Sequence, residues 1–264
     1  VYHCAAIVSF DARYRDAMIN GNVAATANIA NAALEAGVSK FIHISSIAAL
    51  GRTAIITEQN KLINEDTHWE ESKANSAYAE SKFQSEMEVW RAMAEGLNAA
   101  IINPGIILGE GDWTKGSARL MQIVYEEFPW FTEGVNSWVD VKDVVQAAIT
   151  LMNSDIADER YIVSAGNFSY KEVFTKMADA LGKKPPHQKA SRFMTELVWR
   201  MEVFKSRVAN KEATITKESA RTAQNKSYYN NQKLLQQFPN FSYHSLEETI
   251  ARMAQVFLQD KNKK

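Results

Sequence analysis

The sequence predicts an α/β fold: a doubly wound parallel sheet followed by a smaller, mostly helical C-terminal lobe. Three observations predict it. Short apolar runs alternate with single helical patterns through residues 1–110, and strands joined by single helices form parallel βαβ units. Beyond that stretch helical periodicity dominates, with one clear strand at Arg160–Ser164. The composition is that of an ordinary globular chain, 46% hydrophobic and 23% charged over 264 residues, which excludes disorder along most of its length. Such a length suits one larger domain or a domain with an appended lobe.

Each element has its own signal. Val1–Ala6 (VYHCAA) reads as a short buried strand. Asn22–Ala36 is a helix rich in alanine, so it can pack closely, and Gly37 follows it as a stop. Lys40–Ser45 is the next strand, with a long connection running from it through Trp69. From Ser76 to Ala94 the apolar residues Ala79, Phe83, Met87, Trp90 and Ala94 fall on one helical face. Asn98–Asn103 is a strand stopped by Pro104–Gly105. In the second half, helices are expected at Val141–Met152, Tyr170–Leu181, Ser191–Phe204, Lys217–Ala223 and Leu246–Leu258, before a frayed tail at Asp260–Lys264. The domain division that follows is 1–110 for the part bearing the candidate catalytic residues and 111–264 for the lobe, with 137–165 returning to the sheet.

Charge and cysteine usage narrow the class. Thirty basic residues against 31 acidic ones give a net charge of −1, so there is no electrostatic case for nucleic acid or a membrane surface. No apolar run approaches the roughly 20 residues that span a bilayer. The single cysteine, Cys4, excludes an internal disulfide and fits a reducing cytoplasm. Five histidines (3, 43, 68, 187, 244) show no metal-ligand spacing, so no metal is expected.

Chemistry is suggested first by Tyr78-Ala-Glu-Ser-Lys82. Positions four apart share a helix face, so a phenol and an ammonium can enter one site. A free phenol titrates near ~10, and a neighbouring ammonium favours the phenolate, which makes proton transfer feasible. The spacing alone is weak evidence, because Tyr229–Lys233 repeats it. Only Tyr78 follows a buried strand ending in Ile44-Ser45-Ser46, and the carboxyl ends of parallel strands are where such sheets bind ligands. A serine there could hold a carbonyl beside the phenol, although serine also ends strands for purely local reasons.

VYHCAA, NVAAT, KFIHISSIAALG, YAESKFQSE, NPGIILGEG and SWVDVKDVVQA occur in that order. Together they resemble the extended short-chain dehydrogenase/reductase family, near its dihydroflavonol-reductase-like and NAD-dependent epimerase/dehydratase branches. The resemblance is dense from Val1 to about Ala148 and diffuse afterwards. It implies a Rossmann-like sheet and an NAD or NADP cofactor. It further implies Tyr78 as acid/base, Lys82 as the cation beside it and on the nicotinamide ribose, and Ser46 as the group orienting the carbonyl. Asn22 matches an asparagine supporting proton relay, though an N-cap role is equally open. Cys4, Ala5, Ala6 and Ser45 match positions close to the dinucleotide, and Pro104, Gly105 and Ile106 match backbone against the nicotinamide. Asn103 stands where nucleotide-sugar epimerases bind substrate, and Trp113 and Trp130 are candidates to roof the pocket, each also explicable as core filling. The substrate so implied is a small carbonyl, alcohol or sugar, the assembly a homodimer through the helices at 22–36 and 76–94, and the activity that of a dehydrogenase/reductase or epimerase/dehydratase. A non-catalytic dinucleotide sensor is the alternative outside the enzymes. One departure is Ala25 where NVxGT usually has glycine.

A dinucleotide site also needs a glycine-rich turn after the first strand, and neither G-x-G-x-x-G nor G-x-x-G-x-x-G occurs. The 11 glycines are about 4% of the chain against a usual ~7%, and residue 1 is Val rather than Met. The chain is therefore expected to be the later part of a larger protein, with the glycine motif upstream of Val1; the alternatives are a true fragment and a divergent protein that has lost cofactor binding.

Overall fold

A computed structural model describes residues 1–9, 12–51, 62–71, 75–191, 195–196, 199–200, 220 and 222–263. They form two compact units: Val1–Gly105 with Val145–Val163 and Asn230–Phe241, and Ile106–Val144 with Ser164–Tyr229 and Ser242–Lys264.

The first unit is built on a four-stranded, wholly parallel sheet. Its strands are β1 (Tyr2–His3), β2 (Phe41–Ile44), β3 (Ala99–Pro104) and β7 (Glu159–Val163), in the order β1-β2-β3-β7. The register pairs His3 with His43, Ile44 with Ile102 and Pro104 with Val163. All four strands point the same way, so Cys4, Ser45, Gly105 and Ser164 stand at a common carboxyl edge. β3 is buried throughout, as a strand covered on both faces must be. Helix α1 (Arg15–Glu35) packs on α2 (Ala77–Ala94). On α1 the buried positions Met18, Asn22, Thr26, Ala30 and Ala33 step by one turn, and on α2 Ser81, Ser85, Val89 and Ala92 do likewise. The small residues among them let the two helices approach closely. Gly37 ends α1 at φ +60°, where the amides of Gly37 and Val38 bond the carbonyls of Leu34 and Ala33. Ser76 caps α2 by accepting the Ala79 amide.

Among the described residues the second unit has two small sheets with three helices packed on them. β4 (Ile106–Leu108), β6 (Val135–Asp140) and β8 (Gly166–Ser169) form one sheet in the order β4-β6-β8, and β5 (Trp130–Phe131) pairs with β9 (Gln188–Lys189). Against these lie α3 (Arg119–Tyr125), α5 (Tyr170–Leu181) and the C-terminal helix α7 (Leu246–Asn262). Their shared core contains Leu108, Met121, Trp138, Met177, Met253 and Phe257. The two remaining helices are α4 (Val141–Met152) and α6 (Gln232–Gln237).

The structure corrects several expectations. The helix expected from Asn22 begins at Arg15, so Asn22 lies within it and the N-cap alternative falls. The strand expected over Val1–Ala6 is reduced to Tyr2–His3, and β3 continues through Pro104 instead of stopping at Asn103. The later half contains six strands among the described residues rather than one. Those strands are short and partly polar, held by backbone pairing, and leave little hydrophobic pattern. The tail expected to fray from Asp260 is helical to Asn262. The expected helices at Ser191–Phe204 and Lys217–Ala223 fall mostly outside the described residues.

Candidate active site

β2 ends at Ile44, and the chain passes through Ser45 and Ser46 into a 3-10 turn, Ile47–Ala49. Ser46 caps that turn by accepting the Ala48 amide at 3.1 Å. The exit is tight at Gly51, where a Cβ would stand 1.6 Å from the His68 carbonyl oxygen, so only glycine fits. The chain from Leu62 then leads to α2, with Trp69 stacked on Phe83 at 4.5 Å.

Helix α2 brings the candidate acid/base to this strand end. The Tyr78 phenol lies beside the Ser46 side chain. Burial pushes the phenol above its usual value, and the Ser46 side chain acts the other way. One turn on, the buried Lys82 ammonium donates to the Ile44 carbonyl at 3.2 Å. Burial lowers its pKa to about 8, while Glu86 and Cys4 pull it back up. Ser46, Tyr78 and Lys82 therefore gather at the carboxyl end of β2. The separation into two serines is functional in geometry: the Ser45 hydroxyl donates to Glu86 at 2.7 Å, leaving Ser46 as the one that meets Tyr78.

Asn22 reaches the same neighbourhood from α1. Its Nδ2 donates to Ser81 Oγ at 2.8 Å and to the Ile7 carbonyl at 2.9 Å, and its Oδ1 accepts the Ile7 amide at 2.7 Å. The residue thus pins the chain after β1 against α2. Cys4, Ala5 and Ala6 are exposed at the sheet's carboxyl edge. Asn103 is fully buried, with Nδ2 donating to the Ser46 carbonyl at 3.0 Å and to Glu86 at 2.8 Å. Pro104 is buried and Gly105 half-buried, its amide bonded to Val163.

Ile106, Trp113 and Trp130 belong to the second unit. Trp113 packs edge-on against Phe257 at 5.2 Å and donates to Asp260 at 3.0 Å, contacts that account for its burial without a ligand. Trp130 is half-buried in β5.

Two groups near the site were not singled out from sequence. His3 and His43 stack at 5.1 Å, and both titrate low through burial, helped by the nearby Lys82 charge. His43 keeps both ring nitrogens without a hydrogen-bond partner among the described residues. Glu86 accepts from Ser45, Asn103, Arg160 and Trp90. Its signal was the spacing Tyr78, Lys82, Glu86, four residues at each step along one helix face. Among the described residues no group of three or more His, Cys, Asp or Glu could hold a metal ion.

Residues 1–154 match the NAD_binding_4 family model, described as male sterility protein. The chain is 27% identical over 190 residues to sterol demethylase protein B of Methylococcus capsulatus, covering 70% of this chain and 56% of that protein. It is 24% identical over 192 residues to a putative dihydroflavonol 4-reductase of Synechocystis, covering 70% and 55%. The chain thus spans about half the length of the curated relatives it matches. Among solved structures it resembles the dTDP-glucose 4,6-dehydratase DesIV of Streptomyces venezuelae, solved with NAD and TYD bound, at 18% identity and TM-score 0.73 over 99% of this chain and 73% of that one. This likeness bears on the fold and agrees with the Rossmann-like reading.

Proposed function

The chain belongs to the NAD-binding family described as male sterility protein, within the extended short-chain dehydrogenases/reductases, and on that premise we propose that it is an NAD(P)-dependent oxidoreductase acting on a carbonyl or secondary alcohol. The observation that carries this reading is the meeting of three side chains at the carboxyl end of β2: Tyr78 beside Ser46, and the Lys82 ammonium held on the Ile44 carbonyl at 3.2 Å, one residue before the serine pair.

The residues present suit a dinucleotide. Cys4, Ala5 and Ala6 are small and exposed where the parallel strands end, so backbone can approach a flat ligand closely. Ser45, Pro104, Gly105 and Ile106 follow the neighbouring strand ends, and Lys82 supplies a cation for the ribose hydroxyls. When bound, NAD or NADP gives or takes the hydride. The chain's own residues do the rest. Ser46 and Tyr78 hydroxyls both donate to the carbonyl oxygen and fix it where negative charge develops. Tyr78 gives its proton to that oxygen as the hydride reaches the carbon, and the Lys82 ammonium stabilises the phenolate left behind. Oxidation of an alcohol runs the same transfers backwards. Asn22 holds the chain after β1 in register with α2. Asn103, Trp113 and Trp130 are assigned to the substrate side, Asn103 acting through its hold on the Ser46 carbonyl.

The test is turnover of NADH and NADPH by the full-length protein against carbonyl substrates, dihydroflavonols first. Stoichiometric cofactor oxidation is expected. Product formed with only catalytic cofactor and no net redox change would instead support an epimerase or dehydratase, a second reading favoured by the fold shared with the dTDP-glucose 4,6-dehydratase. The same assay checks Lys82. Its pKa of about 8 lies below the usual lysine value, so the ammonium is lost as pH rises through about 8. Reduction is expected to slow above that pH, and Lys82→Met should be slow at every pH with no such limb. A wild-type profile flat to pH 10, about two units beyond, would contradict the role.

We also assign residues 1–110 to the dinucleotide-binding part and 111–264 mainly to substrate binding; of the expected return at 137–165, β7 joins the parallel sheet while β6 pairs with β4 and β8 in the second unit. A homodimer through α1 and α2 is supported by the exposed Ile29 and Met87 on those helices. Light scattering is expected to give twice the chain mass, and monomer alone at micromolar concentration would contradict it. No helix of the described residues is long and apolar enough to cross a membrane. With one cysteine and a near-neutral charge, the cytoplasm is the proposed location, and neither nucleic acid nor membrane is a proposed partner.

A further inference from the structure

Glu86 is 1% exposed, and each of its oxygens is shared. Oε2 accepts the Ser45 hydroxyl at 2.7 Å and Asn103 Nδ2 at 2.8 Å. Oε1 accepts Arg160 Nη1 at 3.0 Å and Trp90 Nε1 at 3.3 Å. Asn103 Nδ2 donates in addition to the Ser46 carbonyl at 3.0 Å. Arg160, on β7, extends the network outward: Nε donates to the Glu65 carbonyl at 2.8 Å and Nη2 to Thr67 O at 3.3 Å. The Glu65 carboxylate returns to β7, accepting the Ile162 amide at 2.9 Å. One carboxylate on α2 thus ties together the ends of β2 and β3, the edge strand β7 and the chain at 65–67.

A buried charge of this kind is an expensive way to fill space, since an apolar side chain of the same volume is often as stable or more so. What it supplies here is direction. Ser45 is held from its side chain and Ser46 from its carbonyl, so the peptide between them is fixed at both ends. The Ser46 hydroxyl is thereby aimed, because its backbone has no freedom to turn it from Tyr78.

We propose that Glu86 is a positioning residue for hydride transfer, acting through Ser45 and Asn103 on Ser46, with Arg160 supplying the opposing charge and linking the 65–67 segment to the same hub. The proposal rests on Ser46 and Tyr78 being the pair that holds the carbonyl. It assigns no contact between Glu86 and substrate. Removing its charge leaves Tyr78 and the dinucleotide edge in place and disturbs the aim of Ser46; it also withdraws an attraction that raises the Lys82 pKa, so the comparison is made well below pH 8, where the ammonium keeps its proton.

The experiment is a double-mutant cycle on the full-length protein, with kcat and NAD(P)H affinity measured for wild type, Glu86→Gln, Ser46→Ala and the double variant. Glu86→Gln is expected to lower kcat by about 10- to 100-fold, the effect of a misaimed reacting group, with cofactor affinity unchanged. In the Ser46→Ala background the same change is expected to cost less than about twofold, because the group it positions is gone. An equal loss in both backgrounds means general structural damage and overturns the proposal while leaving the oxidoreductase reading intact. Full activity in Ser46→Ala overturns that reading and the proposal with it. Should Glu86→Gln fail to fold, Ser45→Ala removes one link only. It is expected to lower kcat, again only when Ser46 is present, and unchanged kcat overturns the proposal.

Discussion

Replacing Tyr78 by phenylalanine is expected to lower kcat by about 10²–10⁴-fold, the range for loss of a positioned general acid. The substitution keeps the ring and removes only the hydroxyl that meets Ser46. Fold and cofactor affinity should therefore persist, and the loss should fall on kcat rather than on KM for NAD(P)H. The phenol's raised pKa gives a further sign. In the reductive direction Tyr78 must carry its proton, and burial keeps that proton on through neutral pH. Steady-state kinetics with matched dinucleotide titrations check the expectation. A variant as fast as wild type on every active substrate would remove Tyr78 from the chemistry.

The largest expected effect on stability lies in the second unit. Asp140 ends β6 with its side chain fully buried, facing Arg252 Nη2 at 2.5 Å, the Thr249 hydroxyl at 2.7 Å and the Lys142 amide at 2.8 Å. Arg252 also meets Glu110 at 2.6 Å. Burial raises the Asp140 carboxyl's pKa, and the bonds from Lys142, Arg252 and Thr249 more than offset it, leaving the group below its usual value. Arg252→Met keeps much of the stem and strands that carboxylate, so a loss of about 3 kcal/mol is expected. The depressed pKa contributes stability above the unfolded value, and that contribution is lost as pH falls through the folded one. In Arg252→Met the folded-state carboxyl pKa rises, so Asp140 no longer costs stability on acidification, and the gap between variant and wild type should narrow as pH falls. Urea denaturation at neutral and acidic pH measures both. A midpoint unchanged at both pH values would show that Arg252 contributes nothing net.

The parts of this fold legible in the sequence are those written locally. Helix α2 was marked by its apolar steps, and the structure finds it over Ala77–Ala94, although its buried face includes Ser81, Ser85, Val89 and Ala92 while Met87 is exposed. The stop at Gly37 was legible because φ +60° suits glycine. The Tyr78–Lys82 spacing and the serine pair pointed to a common strand end, and the structure gathers them there. Elsewhere local signals misled. Asn22 resembled a helix cap, but the alanine-rich pattern hid a start at Arg15, and the residue's partners, Ile7 and Ser81, include one 59 positions away. Gln188–Lys189 is a strand with both residues exposed, so no apolar pattern announces it. Glu86 bonds residues as many as 74 positions away from it, and only the sheet's register brings them together.

The most direct measurement is single-turnover transfer of deuterium from C4-deuterated NAD(P)H to a carbonyl substrate, comparing the full-length protein with its Tyr78→Phe variant at saturating cofactor. The wild type is expected to place cofactor deuterium on the former carbonyl carbon, and the variant to do so slower by at least about 10²-fold. Equal transfer rates in the two proteins would contradict it.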